Sequence, residues 1–226
     1  MNQKNQFYDF WQKIVDNKKS SIVLLLAILI PCIGKGVLVM SEERSLETGI
    51  VAFFHNYSPS FIMSISKILA IIFSTKCCIV ILFILCIISY YLKRNWRITL
   101  TQLVISLLPM VYIFAIKFIV HRPRPFIGVK VKLPPDPSFP SGHTAAAVAI
   151  CAMSLMILYV SNKSLLKIGL IISIVVIVIV ALSRLVVAAH FPTDVITSAI
   201  MYPILVMYNL DFFKNSSFIN RKILKR

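Results

Sequence analysis

Three short segments of this 226-residue chain place cations, histidines and a carboxylate at spacings suited to chemistry. In the first, Lys117 is followed after six intervening residues by Arg124 and Pro125. The second reads Pro140-Ser141-Gly142-His143. The third runs Ser183-Arg184, five residues, His190, three residues, Asp194. Together they supply three cations, two histidines, one carboxylate and a turn with free backbone N–H groups. Such a set fits an oxyanion carrying several negative charges, hence phosphate, and it lacks the carboxylate cluster that a hard divalent metal needs.

Each member has an ordinary structural reading. Lys117 sits just inside an apolar run, where an ammonium is costly unless paired or hydrated, and it could simply snorkel to the headgroups. Pro123 and Pro125 stop the helix and stiffen the turn that carries Arg124. Ser141 suits a helix N-cap, and a capped helix start with open N–H groups is also an oxyanion cradle. Capping does not explain the histidine beside it. Asp194 near His190 can fix its tautomer and leave the other ring nitrogen free, although His-Asp pairs are commonly structural. Coincidence is plausible for each residue and improbable for the set.

The elements that must position these residues are membrane helices. Hydrophobic residues make up 58% of the chain and charged ones 14%, against about half and about a quarter in soluble domains. The mean hydropathy is +0.86. The excess lies in long runs, read as six spans: Ser21 to Met40, Cys77 to Leu92, Ile98 to Val120, Thr144 to Val160, Leu166 to Val187, and Asp194 to Leu210. Ser60 to Phe73 is shorter, holds Lys67 and several serines, and reads as an interfacial helix. The expected fold is therefore an all-α integral membrane helical bundle. It forms a single domain over residues 1–226, with a short arm 1–20, a basic tail 211–226, and no cleaved signal peptide. The five cysteines, Cys32, Cys77, Cys78, Cys86 and Cys151, lie in or beside apolar runs and read as inert buried thiols.

Net charge is +16, from 24 Lys and Arg against 8 Asp and Glu. The basic residues concentrate in the arm, at Lys93, Arg94 and Arg97, at Lys163 and Lys167, and in the tail. In six spans these segments share one side, which the positive-inside rule makes the cytoplasm, with both termini there. Trp11 and Trp96 fall near that interface. Scattered between spans, these charges fit anionic lipids better than nucleic acid. Residues 41–59, with Glu42, Glu43 and Glu47, read as an external loop. Arg122, Arg124, Lys130, Lys132 and Arg184 break the charge rule by lying on the external side, and function is the expected reason. All three chemical segments flank external span ends, so helix packing can bring them together.

The three segments, each at full spacing, resemble the signature of the type 2 phosphatidic acid phosphatase family, whose soluble relatives include vanadium-dependent haloperoxidases. The likeness extends over roughly residues 21–210. It implies His190 as nucleophile forming a phosphohistidine, Asp194 as its orienting partner, and His143 as general acid. Lys117, Arg124 and Arg184 would clamp the phosphoryl oxygens, with Ser141 and the Gly142 N–H completing the cradle. Many relatives have glycine where Ala188 stands, and another near Ser198, which bears on helix packing beside the site.

The resemblance implies a metal- and cofactor-independent hydrolase acting on a membrane lipid phosphate, with no obligate protein partner. The site would face the periplasm or exterior of a bacterial inner membrane. Undecaprenyl diphosphate is the leading substrate. Phosphatidic acid, phosphatidylglycerophosphate and the phosphates of lipid A share the chemistry. A wide headgroup would draw on Arg122, Lys130 and Lys132, whose plain reading is a solvated loop. Two other classes are an anion or lipid transporter, and a catalytically silent lipid-binding member.

Overall fold

The computed structural model of the protein describes residues 41–128 and 134–215. The expected first span, the arm, most of the tail, Trp11, Cys32, Lys130 and Lys132 lie outside the described residues. The regular structure is all helical, with no strand among the described residues, and residues 121–128, 134–141 and 187–191 are irregular connections. The helices are α1 (Ser41–Tyr57), α2 (Ser60–Ile72), α3 (Thr75–Lys93), α4 (Trp96–Val120), α5 (Gly142–Ser161), α6 (Leu166–Val186) and α7 (Pro192–Asn215), with a short turn of 3-10 helix at Lys163–Leu165 before α6.

Five stretches among the described residues are long and apolar enough to cross a membrane: Thr75–Lys93, Trp96–Val120, Gly142–Ser161, Lys163–Val186 and Pro192–Leu210. They coincide within a few residues with the last five expected spans. Their ends are chemically marked. Asn95 caps α4 by accepting from the Arg97 and Ile98 amides, and Ser141 caps α5 by accepting from Thr144. At the other end of α4, His121 adopts a left-handed conformation (φ 50°) and Pro123 prevents continuation. Pro109 and Pro203 lie within helices, as membrane helices tolerate when neighbours satisfy the freed carbonyls.

Helix α5 is the centre of the bundle and packs on α3, α4, α6 and α7. Its run Ala145, Ala146, Ala147 and Ala149 is fully buried, small side chains that let backbones approach where lipid gives no hydrophobic drive. Polar contacts add to this. Ser89 donates to Gln102 at 2.6 Å between α3 and α4, and the Tyr202 hydroxyl donates to the Ser106 carbonyl. Outward faces of α3 and α6 expose Val80, Phe83, Ile87, Ile171, Val175 and Val178, as a lipid-facing surface does.

The segment expected as an external loop is instead α1. Glu47, Val51 and Phe54 recur at helical spacing on one face. Val51 is fully buried and packs with Phe54 against Leu185, Ala188, Phe191 and Val195. The interfacial helix is present as α2, with Ser66 and Ala70 inward and Phe61, Ile65 and Ile68 outward and exposed. At one end of the bundle gather the end of α4, the starts of α5 and α7, the end of α6, and parts of α1 and α2. Lys93, Arg94, Arg97, Lys163 and Lys167 are exposed in the links at the opposite ends of the same helices.

Candidate active site

The third segment forms the floor of the site. Val186 ends α6, Ala188 turns the chain in a left-handed conformation (φ 52°), and Pro192 begins α7. Proline at the first helical position suits its fixed φ and missing N–H. Asp194, two positions on, reaches back to accept from the Phe191 amide at 2.8 Å, the returning half of a capping box. This local geometry, rather than a regular helix, brings Asp194 beneath His190. The Asp194 Oδ2 lies 3.5 Å from His190 Nδ1. That is too long for a good hydrogen bond, yet close enough for charge to act.

His190 is 1% exposed. Burial lowers its pKa to about 4; Asp194 opposes the shift, while Arg124 and Lys117 add to it. The ring is therefore neutral at neutral pH and keeps a lone pair. With Nδ1 turned to Asp194, Nε2 is the free nitrogen, and no protein group bonds it among the described residues.

His143, in the first turn of α5, faces His190 with ring centroids 6.4 Å apart. Its Nε2 lies 3.1 Å from the Ala70 carbonyl of α2. A carbonyl only accepts, so Nε2 carries hydrogen in this contact. Ser141 is buried and its amide donates to the Asp194 carbonyl at 3.1 Å, which pins the second segment to the third. A Cβ added at Gly142 would meet nothing within 4 Å, so packing does not require glycine there.

Arg184, at the end of α6, is 1% exposed. Its guanidinium donates to Ser183 Oγ and, at 2.8 Å, to the Ser66 carbonyl of α2. It has no carboxylate partner among the described residues, and it feels the repulsive charge of Arg124. A buried guanidinium in that situation calls for an anion. Lys117 and Arg124 both hold Asp136. The Lys117 ammonium pairs with Oδ2, and Arg124 Nη2 donates to Oδ1 at 2.9 Å. Arg124 also donates from Nε to the Asp136 carbonyl at 3.0 Å and from Nη1 to the Ala189 carbonyl at 2.8 Å. Burial pushes the Asp136 carboxyl up, but Lys117 and Arg124 outweigh it and hold the group below its usual value.

All eight expected site residues thus meet at one end of the bundle. The correction concerns Arg122, read from sequence as part of a solvated loop or a headgroup contact. It is 2% exposed and faces inward. Nη1 donates to Asp194 Oδ1 and to Thr193 Oγ1, each at 2.7 Å, and Nη2 pairs with Glu47. Its guanidinium stacks on Phe191, 4.0 Å from the ring centroid. Glu47 in turn accepts from the Thr193 amide at 3.0 Å and its hydroxyl at 2.7 Å. Two carboxylates therefore sit at the N-terminus of α7, where the helix dipole favours them, with Arg122 between. Asp136 is not singled out by the sequence, and Glu47 and Arg122 are marked there only as residues of external segments, without their link to Asp194. Helical spacing with Val51 and Phe54 was the available signal for Glu47.

The sequence pattern of the PAP2 superfamily matches residues 98–214, a little over half the chain. No curated protein matches it in sequence. Among solved structures it is similar to a transmembrane PAP2-type phosphatidylglycerophosphate phosphatase from Bacillus subtilis, with 20% identity and a TM-score of 0.72. That superposition covers 88% of this chain and 97% of the other. With the three segments converged and the bundle matched, the chain belongs to the PAP2 superfamily, as a multi-pass membrane phosphatase.

Proposed function

We propose that this protein hydrolyses the terminal phosphate of a membrane lipid, without a metal, through a phosphohistidine on His190. The observation that supports it best is a buried His190 with an unbonded Nε2 at the same end of the bundle as Arg184, a buried cation lacking any carboxylate partner among the described residues. In the first step His190 Nε2 attacks phosphorus as the bond to the lipid oxygen breaks. The departing oxygen takes a proton from His143, which acts as the doubly protonated imidazolium and is left as the neutral ring. In the second step water attacks phosphorus, loses a proton to His143, and phosphate departs from His190. Asp194 stabilises the positive imidazole of the intermediate. Lys117, Arg124, Arg184 and the amides at Gly142 hold the phosphoryl oxygens, a role worth several kcal/mol when donors are preorganised. The room in front of Gly142 suits an oxyanion.

The basic links at the far end support an orientation with those links in the cytoplasm and the site on the outer side of a bacterial inner membrane. Two lipids head the substrate list. Undecaprenyl diphosphate suits an outward-facing site, and phosphatidylglycerophosphate is favoured by the solved relative. Phosphatidic acid and lipid A phosphates follow.

The test is phosphate release from this panel by purified protein in chelator. His190→Ala should lose at least about 10⁴-fold in turnover, as expected for a residue of a covalent catalytic unit. His143→Ala should lose about 10²–10⁴-fold. Parent-level turnover by His190→Ala would sink the mechanism, and dependence on added metal would sink its metal-free form.

A further inference from the structure

Asp136 occupies the two cations that the proposed function assigns to phosphate. Its carboxylate bridges Lys117 and Arg124, one oxygen to each, as two oxygens of a phosphoryl group would. We infer that Asp136 is a specificity-determining residue, an internal anion that only a doubly charged phosphoryl group displaces. This deepens the phosphate-site reading and rests on it.

The backbone around Asp136 is built for such exchange. Pro135 precedes it and Pro137 follows, so the chain that presents the carboxylate is stiff and loses little freedom in doing so. The side chain is 35% exposed, so it can turn into water and be hydrated there while the incoming phosphoryl group takes over its two ion pairs. Arg124 stays oriented without it, because Nε still donates to the Asp136 carbonyl and Nη1 to the Ala189 carbonyl. Only Nη2 and the Lys117 ammonium are released.

Charge decides which ligands can take over. Lys117, Arg124 and Arg184 against Asp136 leave two positive charges in excess, and the adjoining Arg122, Glu47 and Asp194, one negative charge together, reduce this to one. A singly charged anion that displaces Asp136 exchanges one negative charge for another and gains nothing from the exchange. A doubly charged anion gains one full interaction, which at these distances and reduced polarity is large. Lipid surfaces are crowded with phosphodiester headgroups bearing one charge per phosphate. A phosphomonoester carries nearly two at neutral pH, since its second pKa is about 6. Asp136 would keep the abundant diesters off the clamp while admitting the scarce monoester or diphosphate.

Methylphosphonate and methanesulfonate match in shape, resist hydrolysis and differ by one charge above the second phosphonate pKa. Their binding to detergent-solubilised protein is measured by calorimetry on the parent, Asp136→Asn and Asp136→Glu. The parent should favour phosphonate by about tenfold or more. Asp136→Asn should shrink that ratio at least about fivefold, mainly by tighter sulfonate binding, and Asp136→Glu should keep it. Asp136→Ser serves as a second neutral variant if Asp136→Asn does not fold. If Asp136→Asn weakens both anions, Asp136 merely orients the cations and the inference is wrong. An unchanged ratio also overturns it, leaving the phosphate site intact. If the parent binds neither anion, the phosphate-site reading falls and takes this inference with it.

Discussion

Arg122 and Arg124 stand two positions apart on one proline-stiffened turn and live in opposite surroundings. Arg122 points inward to Glu47, Thr193 and Asp194, and its charge is more than met by two carboxylates. Arg124 turns the other way, and its carboxylate partner among the described residues is Asp136, whose side chain is 35% exposed. Arg184 goes further and has none among the described residues. A cation enclosed by protein anions is scaffold, since its removal strands buried charge. One left open, or closed by a displaceable group, is available to a ligand. Identity of residue and nearness in sequence do not separate the two classes; the partners do.

Arg122→Ala tests the inner class and should have the largest effect on stability. It leaves the fully buried Asp194 and the mostly buried Glu47 without their shared cation. Breaking a buried pair from one side costs about 3–5 kcal/mol, read as a lowered unfolding midpoint in detergent. Arg122→Lys should recover only part, because one ammonium cannot reproduce the forked contacts to Glu47, Asp194 and Thr193. Parent-like stability in Arg122→Ala would erase the distinction between the two arginines.

Arg184→Ala should behave in the opposite way. Turnover of the lipid substrate falls about 10²–10³-fold, as for loss of one preorganised oxyanion donor. Stability stays level or rises, since a buried cation that strains against Arg124 is gone. A stability loss as large as that of Arg122→Ala would place Arg184 among the scaffold.

This contrast marks what was legible in the sequence. The three segments could be read because backbone chemistry fixes them: prolines end α4, Ser141 caps α5, and Pro192 starts α7. The last five spans could be read because lipid demands unbroken apolar helices. Arg122 could not be placed, since its meaning depends on Glu47, 75 positions earlier in the chain. Asp136 sits in a proline-rich stretch that looks like a plain connector, and only the fold sets it on Lys117 and Arg124. Residues 41–59 were misread because three glutamates suggested solvent, while the pattern of Glu47, Val51 and Phe54 already had helical spacing. Periodicity outweighs charge composition there, because one buried face is enough to fix a helix whose other face is polar.

The depth of His190 gives a smaller effect that pH exposes. The folded protein holds it at about 4, against an ordinary 6.5, chiefly through burial. The unfolded chain therefore binds more protons between those values. Stability from keeping the ring neutral is complete above 6.5 and is lost as pH falls toward 4. Asp194, Arg124, Lys117 and the facing His143 ring surround the group, and of these only Asp194 favours its protonation. Thermal midpoints of the parent should fall more steeply across that window than those of His190→Gln, where no ring titrates. Parallel curves would mean that His190 is reached by water and is not the dry floor described above.

The smallest effect concerns Ala188, whose place many relatives fill with glycine. Sequence reasoning assigns that glycine to close helix packing, whereas the structure points to the backbone. Ala188 is left-handed at φ 52°, a conformation that costs an L-residue about 1–2 kcal/mol and glycine almost nothing. The turn cannot relax, because the Ala189 amide donates to the Arg184 carbonyl and the Ala188 amide to Leu185, which together close α6 above His190. Against this, the Ala188 methyl is fully buried with Val51, Leu185, Phe191 and Val195, and removing it gives back about 0.8 kcal/mol of burial. The two terms are close, and the backbone one is larger. Ala188→Gly should raise stability by a few tenths to about 1 kcal/mol, measured by denaturant unfolding, with turnover unchanged. A loss of about 1 kcal/mol instead would show that packing governs the position.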